Sequence, residues 1–549
     1  MKKTIKTTLA LIGIIVGILA FSLSGKAFAA DPIEGFHAGS GTAEDPYRIA
    51  TVEEFEILRG HLAVDDGYDH TAFTEVYFVL DDDIVYDKGA SLTAPALGLA
   101  KCVIDGKGHS VSNVTSTGNP LFFQVNDTEI KNIVFKNCDL KNTPLIAKEM
   151  FDSKLTDITL ESSKIAFTIK TKEDFAASSN FGSELRYGGL VNWAYDSVFE
   201  NVNADATMTI KGTGNFGMIC GNFQGEVNNC TASGKIKAAI TYEKANTCSV
   251  IGGLFGSTYG PVKNCVNKAA ITVSVPNKDI YCNVAGISGV GDYIADEPII
   301  DKYYACKNKG NITVSSKWHK DTRQSVYVAG IEAGYAQCNI ANCTNSGKIV
   351  TNDIDCVAGI VTNAVGTVKN CKNSGTFEST DTKSAAGIVN TAYGKVTNCK
   401  NTGKIKTTET FVHDYNGCNV AGIANSISVL YGNASVANCT NSGKLTTGGK
   451  GGLCAAAGIV NFMGLSDKYI STVSKCKNTG AITGEWWVSG IASMSGNWEV
   501  KNQKNVIKSC ENTGTITGVS KDDYKQGILG YNNLNTTTVK NCTNKGKLK

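Results

Sequence analysis

Proline is scarce in this chain, 8 among 549 residues, and no proline-rich linker divides it. Arginine is scarcer: Arg48, Arg59, Arg186 and Arg323 are the whole set, poor material for forked recognition of anions. No C-x-x-C pair occurs, which argues against a tetrahedral zinc site despite 19 cysteines. H-E-x-x-H, a nucleophile elbow and a glycine-rich phosphate loop are also missing, so the commonest metalloprotease, hydrolase and nucleotide signatures are excluded. No long apolar run follows the first thirty residues.

Those thirty residues read as a secretory leader. Met1-Lys2-Lys3 is positive, Leu9 to Leu23 is apolar, and Ala27-Phe28-Ala29 is a small-x-small cleavage site. The apolar run, about fifteen residues, falls short of the roughly 20 that a spanning helix needs, so 1–29 is expected to be removed with no stable membrane insertion afterwards. Loss of Lys2, Lys3, Lys6 and Lys26, with no acid, moves the formal charge from +3 to about −1. That balance offers no field for nucleic acid. The expected location is secreted or extracellular, with possible association to the cell wall.

The remainder repeats itself. From Cys230 one phrase returns ten times, as in VKNCKNSGTF, VTNCKNTGKI and VANCTNSGKL, with cysteines at 230, 265, 306, 343, 371, 399, 439, 476, 510 and 542, spaced by 28 to 41 residues. A second phrase precedes most copies: GGLFG at Gly252, AGI at Ala285, Ala329, Ala358, Ala386, Ala421 and Ala457, SGI at Ser489 and GILG at Gly527. Repetition at this period marks a solenoid. The shortest unit holds AGIVNTAY, KVTNCKN and GKIKTTET, three β-type stretches without helical period. The predicted fold is all-β, a right-handed parallel β-helix of about fifteen three-stranded coils, with unit-to-unit insertions in outer loops.

In the degenerate early coils Ile133, Ile158 and Val202 hold the place later taken by cysteine, so that slot faces inward and its thiols act as small buried hydrophobes. A disulfide framework is the rival for a secreted chain. Stacked in-register neighbours, however, keep Cβ atoms ~4.8 Å apart, whereas a disulfide wants ~3.8 Å. Two residues beyond the slot stands Asn267, Asn308, Asn345, Asn373, Asn401, Asn441, Asn478, Asn512 or Asn544, an expected ladder of mutually bonded amides, broken only at Ala232.

Residues 30–70 read as an N-terminal cap and 71–549 as the β-helix. In the cap, Thr51 and Glu54 form a capping box before a short helix carrying Phe55 and Leu58, suited to covering the first open edge. The G-L-x-G and A-G-I phrases, each followed by N-C-x-N-x-G, resemble the GLUG motif of bacterial surface proteins, and GTAEDPYRIATVEEFEIL with IDGKGHSV is similar to the opening of many secreted parallel β-helix proteins, including pectate-lyase-like solenoids. The resemblance spans about residues 39–549. It implies a surface or host-contact role and attaches no catalytic residue to the motif.

An enzyme of this fold, a polysaccharide lyase or glycoside hydrolase, needs acids and a base gathered on one face. The candidates read as structural: Asp81-Asp82-Asp83 as a solvated turn near the cap, and Asp105 with His109 as turn and stacking residues. His319 and His413 sit in loops three coils apart, too far to share a proton. No catalytic residue, metal ligand or cofactor is therefore assigned. Aromatic rings in or beside insertions make a better case for binding, since they stack on sugars or anchor proteins; packing of the loops onto the rod is the plainer use of each ring. The expected ligand-binding set is Tyr303, Tyr304, Trp318, Tyr415, Trp486, Trp487 and Trp498. The expected function is a non-enzymatic adhesin or glycan-binding protein, whose partner is a host or environmental glycan or surface protein, with a carbohydrate-active enzyme or a passive spacer as alternatives.

Overall fold

The computed structural model describes residues 33–61, 75–92, 98–169, 185–241, 248–276, 281–290, 299–317, 325–410, 418–449, 454–464, 468–495, 504–518, 525–532 and 536–549. The expected leader lies outside them. Among the described residues every strand pairing is parallel, and one ladder climbs in register through sixteen strands, from Tyr47–Ile49 by way of Cys102–Asp105 and Val262–Lys263 to Thr537–Lys540. The chain is a parallel β-helix, roughly 70 Å long at ~4.8 Å per coil. Its one helix among the described residues, Val52–His61, is too short to cross a membrane.

Each of the first two stretches of the repeat breaks once more than its alternating pattern suggests. In the shortest unit the strands are Ser384–Ala386, Val389–Ala392, Lys395–Thr397, Lys400–Asn401 and Ile405–Thr408. The break at Asn398 has φ +54°, and the same left-handed residue precedes the cysteine slot in coil after coil: Asn229, Asn264, Ala305, Asn342, Asn370, Asn438, Lys475, Ser509 and Asn541. Asparagine tolerates this conformation better than other residues with a Cβ, which explains why the phrase is so often N-C. Turning there lets the cysteine point inward at the corner, one residue before the next strand begins.

The second asparagine of the phrase builds the ladder. Asn267 Nδ2 donates to Asn308 Oδ1, Asn308 to Asn345, and so on through Asn373, Asn401, Asn441, Asn478 and Asn512 to Asn544, every link 2.7–2.8 Å. Each Nδ2 also donates to the carbonyl two residues on, as Asn401 does to Gly403 O at 3.2 Å. All from Asn267 to Asn512 are sealed from solvent. The ladder also accounts for the glycine of A-G-I: a Cβ on Gly387 would stand 2.6 Å from Asn401 Cγ and 2.2 Å from Gly422 O, and Gly359, Gly422, Gly458 and Gly490 are placed alike. The two phrases are halves of one packing unit.

All nineteen cysteines are described and none forms a disulfide. Along the slot each thiol donates to the carbonyl two residues back, at 3.2–3.6 Å. At the other end, Glu54 Oε2 accepts from Ala50 N at 2.8 Å and Thr51 N at 3.2 Å, while Thr51 Oγ1 accepts from Glu54 N at 3.2 Å, a reciprocal capping box. Burial opposes ionisation of Glu54, yet the Ala50 N–H and His37 hold its carboxyl below the ordinary value. Phe55 and Leu58 enter the apolar interior with Ile104, Leu121 and Ile130, and Arg59 Nε donates to Leu121 O at 3.2 Å.

Asn401→Ala should orphan the Asn373 donor and the Asn441 acceptor together and cost about 3 kcal/mol in urea unfolding, since each buried unpaired group costs ~1–3 kcal/mol. Lys475→Asn should raise stability by about 0.5–1 kcal/mol, because asparagine relieves left-handed strain. Alkylation at pH 8 read by mass spectrometry should label exposed Cys248 first; Cys102 and Cys138, whose thiols burial pushes up to about 12, should react only on unfolding.

Candidate ligand-binding site

The A-G-I bend folds two strands toward each other on the outside of the rod and makes a corner along its length. On one side of the bend Ala285, Ala329, Ala358, Ala386, Ala421, Ala457 and Ser489 stack in register. Ala285 and Ala329 pack there against Ala333 and Tyr327, apart from the main core. Across the bend the residue after the first inward position changes from coil to coil. It is Gly221, Gly256 and Gly289 in the earlier coils, where a Cβ would strike the facing strand at 2.4–2.8 Å. It then becomes Ala333, Thr362, Asn390, Asn425, Asn461 and Ser493.

Those later side chains form a second set of amides, outside the core. Asn461 Nδ2 donates to Asn425 Oδ1 at 2.8 Å, and Ser493 Oγ donates to Asn461 Oδ1 at 3.0 Å. Asn390 Nδ2 donates to Cys356 Sγ at 3.0 Å, and burial pushes that thiol up to about 12. Asn363 Nδ2 donates to Gly334 O at 3.2 Å. Asn283 Oδ1 and Asn390 Oδ1 are buried and accept no hydrogen bond. From Ala285 to Ser493 these columns hold no Asp, Glu, Lys, Arg or His.

A row of tyrosines stands over this floor. Tyr335 and Tyr393 stack with centroids 6.0 Å apart and planes at 29°, their hydroxyls 3.5 Å apart; Tyr431 lies 5.3 Å beyond Tyr393 at 52°. Tyr335 and Tyr431 are exposed, 42% and 56%. Burial and the Tyr335 hydroxyl push the Tyr393 phenol above its ordinary value. The arrangement offers ring faces and edges beside uncharged amides, the chemistry that grips the apolar faces and hydroxyls of a sugar.

The sequence-derived set is only partly brought together. Tyr303 is corrected: it lies inside the rod, 1% exposed, in the strand Ile300–Tyr304 between Val262 and Ile340, with its hydroxyl 2.9 Å from Thr258 Oγ1. It stands three residues before Cys306, the inward position held by Val262, Ile340, Val368 and Val396 in other coils, and that spacing was the signal for burial. Tyr304 is exposed, alone among Lys263 and Ala341 on the strand pairings around it. Trp486 and Trp487 meet edge to face at 6.0 Å, Trp487 stacks on Tyr531 at 5.6 Å and 19°, and both indole N–H groups are buried without an acceptor. Trp318, Tyr415 and Trp498 lie outside the described residues, as do His319 and His413. Tyr335 and Tyr393 were missed because they stand beside the A-G-I phrase rather than in long insertions.

The acidic candidates are engaged structurally. Asp81 receives Arg48 Nη1 at 3.0 Å, Asp83 Oδ1 accepts from Ser110 N at 2.7 Å, and Asp105 Oδ1 accepts from Asn132 Nδ2 at 2.9 Å. Among the described residues no three His, Cys, Asp or Glu side chains converge as metal ligands would.

No protein-family model matches the chain, and no curated protein does. Among solved structures it is similar to one described as a putative immunoglobulin A1 protease from Bacteroides ovatus, at 16% identity and a TM-score of 0.29, over 63% of this chain and 80% of that one. A likeness of that size carries no argument about activity.

Proposed function

We propose that this is a secreted or surface-exposed bacterial repeat protein of the GLUG type that binds glycan without transforming it. The observation that carries the reading is the tyrosine row Tyr335, Tyr393 and Tyr431 beside an uncharged floor whose Asn283 and Asn390 oxygens lack donors. Exposed ring faces beside neutral amides suit the apolar faces and hydroxyls of a sugar. Stacked rings on a rigid solenoid are already ordered, so little conformational entropy is lost on binding. A host or environmental polysaccharide fits this chemistry, and a leader-bearing chain meets it outside the cell.

Co-sedimentation with insoluble mucin, plant polysaccharide and bacterial wall, with the supernatant assayed for released oligosaccharide, tests the proposal. Pelleting without release is expected, and Tyr393→Ala combined with Tyr335→Ala should lower it by tenfold or more, because stacked rings contribute ~1 kcal/mol or more each beyond their buried area. Released sugar would establish a carbohydrate-active enzyme instead. Absence of pelleting with all three materials would leave a spacer.

A further inference from the structure

The corner changes character toward the N-terminal coils, where one of the four arginines enters it. Of the other described arginines, Arg48 is bound to Asp81, and Arg59 is buried against Glu56 and Leu121 O. Arg186, at the head of the strand Arg186–Gly188, is committed to no such partner. Its guanidinium carbon lies 4.3 Å from the centre of the Trp193 ring, its buried Nε–H has no acceptor, and neither a hydrogen bond nor an ion pair ties it to a described residue. A guanidinium held over an indole carries its donors in a rigid planar fork.

What surrounds that fork is polar and ring-lined. Asn215 pairs with Arg186 in register, Trp193 pairs with Asn222 on one side and Glu149 on the other, and Asn222 is 5% exposed. Trp193 is braced edge to face by Phe151 at 5.2 Å and by Tyr195 at 6.4 Å, the latter ring 39% exposed. Burial pushes the Glu149 carboxyl up, and the Arg186 charge pulls it part of the way back. Trp193 and Tyr335 belong to the same face of the rod, four coils or ~19 Å apart.

We infer that Arg186, seated on Trp193, is a carboxylate-recognition site that takes an acidic sugar residue of a glycan lying along the corner, with Asn222 and Glu149 beside it for the sugar's hydroxyls. Forked pairing with a carboxylate fills the donors that the fold leaves open. The identity of the macromolecule as a glycan rests on the reading of the tyrosine row; the preference for a carboxylate does not.

Isothermal titration of the protein with two matched pairs tests this: trigalacturonate against its methyl ester, and 3′-sialyllactose against lactose. The first member of at least one pair should bind ten times or more tighter than its uncharged counterpart, and the pair that shows it tells a uronic from a sialic acid. Arg186→Gln should abolish the preference and Arg186→Lys should keep part of it, charge without the fork, which also guards against a folding defect. Tyr393→Ala should leave the preference intact. Equal binding within both pairs, or a preference that survives Arg186→Gln, would overturn the site. Loss of pelleting in the tyrosine variants together with equal binding here would overturn this inference alone, and a charge preference without any pelleting would overturn the tyrosine-row reading alone.

Discussion

The structure depends on a chain of buried amides. Each asparagine from Asn308 to Asn512 gives one proton to the next coil and one to its own turn, and accepts from the coil before, so its polar atoms are filled by identical neighbours. A slip of one residue between coils would leave a column of buried amides unpaired, at ~1–3 kcal/mol for each group. A slip of two residues keeps valine and isoleucine facing inward, so aliphatic columns resist it far less, since one branched aliphatic is much like another. The amides therefore set register, and the apolar stack supplies most of the burial.

Register in turn dictates composition around the ladder. The amide occupies the room that a side chain on the preceding bend would need, which leaves only glycine at Gly387 and its equivalents. The thiol slot lies two residues before, at the foot of the left-handed turn, where a small apolar side chain fits under the next coil. Because neighbouring thiols share one direction, closeness does not lead to disulfides, and burial pushes thiols such as Cys265 and Cys343 well above the ordinary value. The solenoid thus carries many cysteines for packing, as the earlier Ile133 and Ile158 in the same slot indicate.

Much of this was legible in the sequence, because a repeated phrase is read ten times over. The inward cysteine slot, the asparagine ladder, the capping box at Thr51 and Glu54, and the coil as repeating unit all follow from comparing copies. What was not legible depends on direction within a phrase. Tyr303 looked like a loop ring because its neighbours 291–298 form an insertion, yet its distance from Cys306 assigns it to the interior. The split of the second stretch at a left-handed residue was hidden because Asn398 and Asn401 are the same amino acid doing opposite things, one turning the chain and the other bonding inside it. Tyr335 and Tyr393 escaped notice because they stand at different distances from their A-G-I phrases and meet Tyr431 only after coiling.

The corner is where the repeat departs from itself, and the departures are graded. The inward column beside it is mostly apolar, Val361, Val389 and Ala424 in the later coils, with buried Ser288 and Glu332 before them. The residue beside them, facing out, passes from Gly221 through Ala333 and Thr362 to Asn390, Asn425 and Asn461. Stability alone gives no reason to bury Asn390 there, since its side-chain oxygen accepts no hydrogen bond. The same coils carry the tyrosines, and the coils with glycine at that position border Arg186 and Trp193. One solenoid scaffold thus presents two chemistries in sequence along a single outer edge, a forked cation on an indole and then neutral amides under stacked phenols, and a long chain of alternating charged and uncharged units is the kind of ligand that would meet both at once.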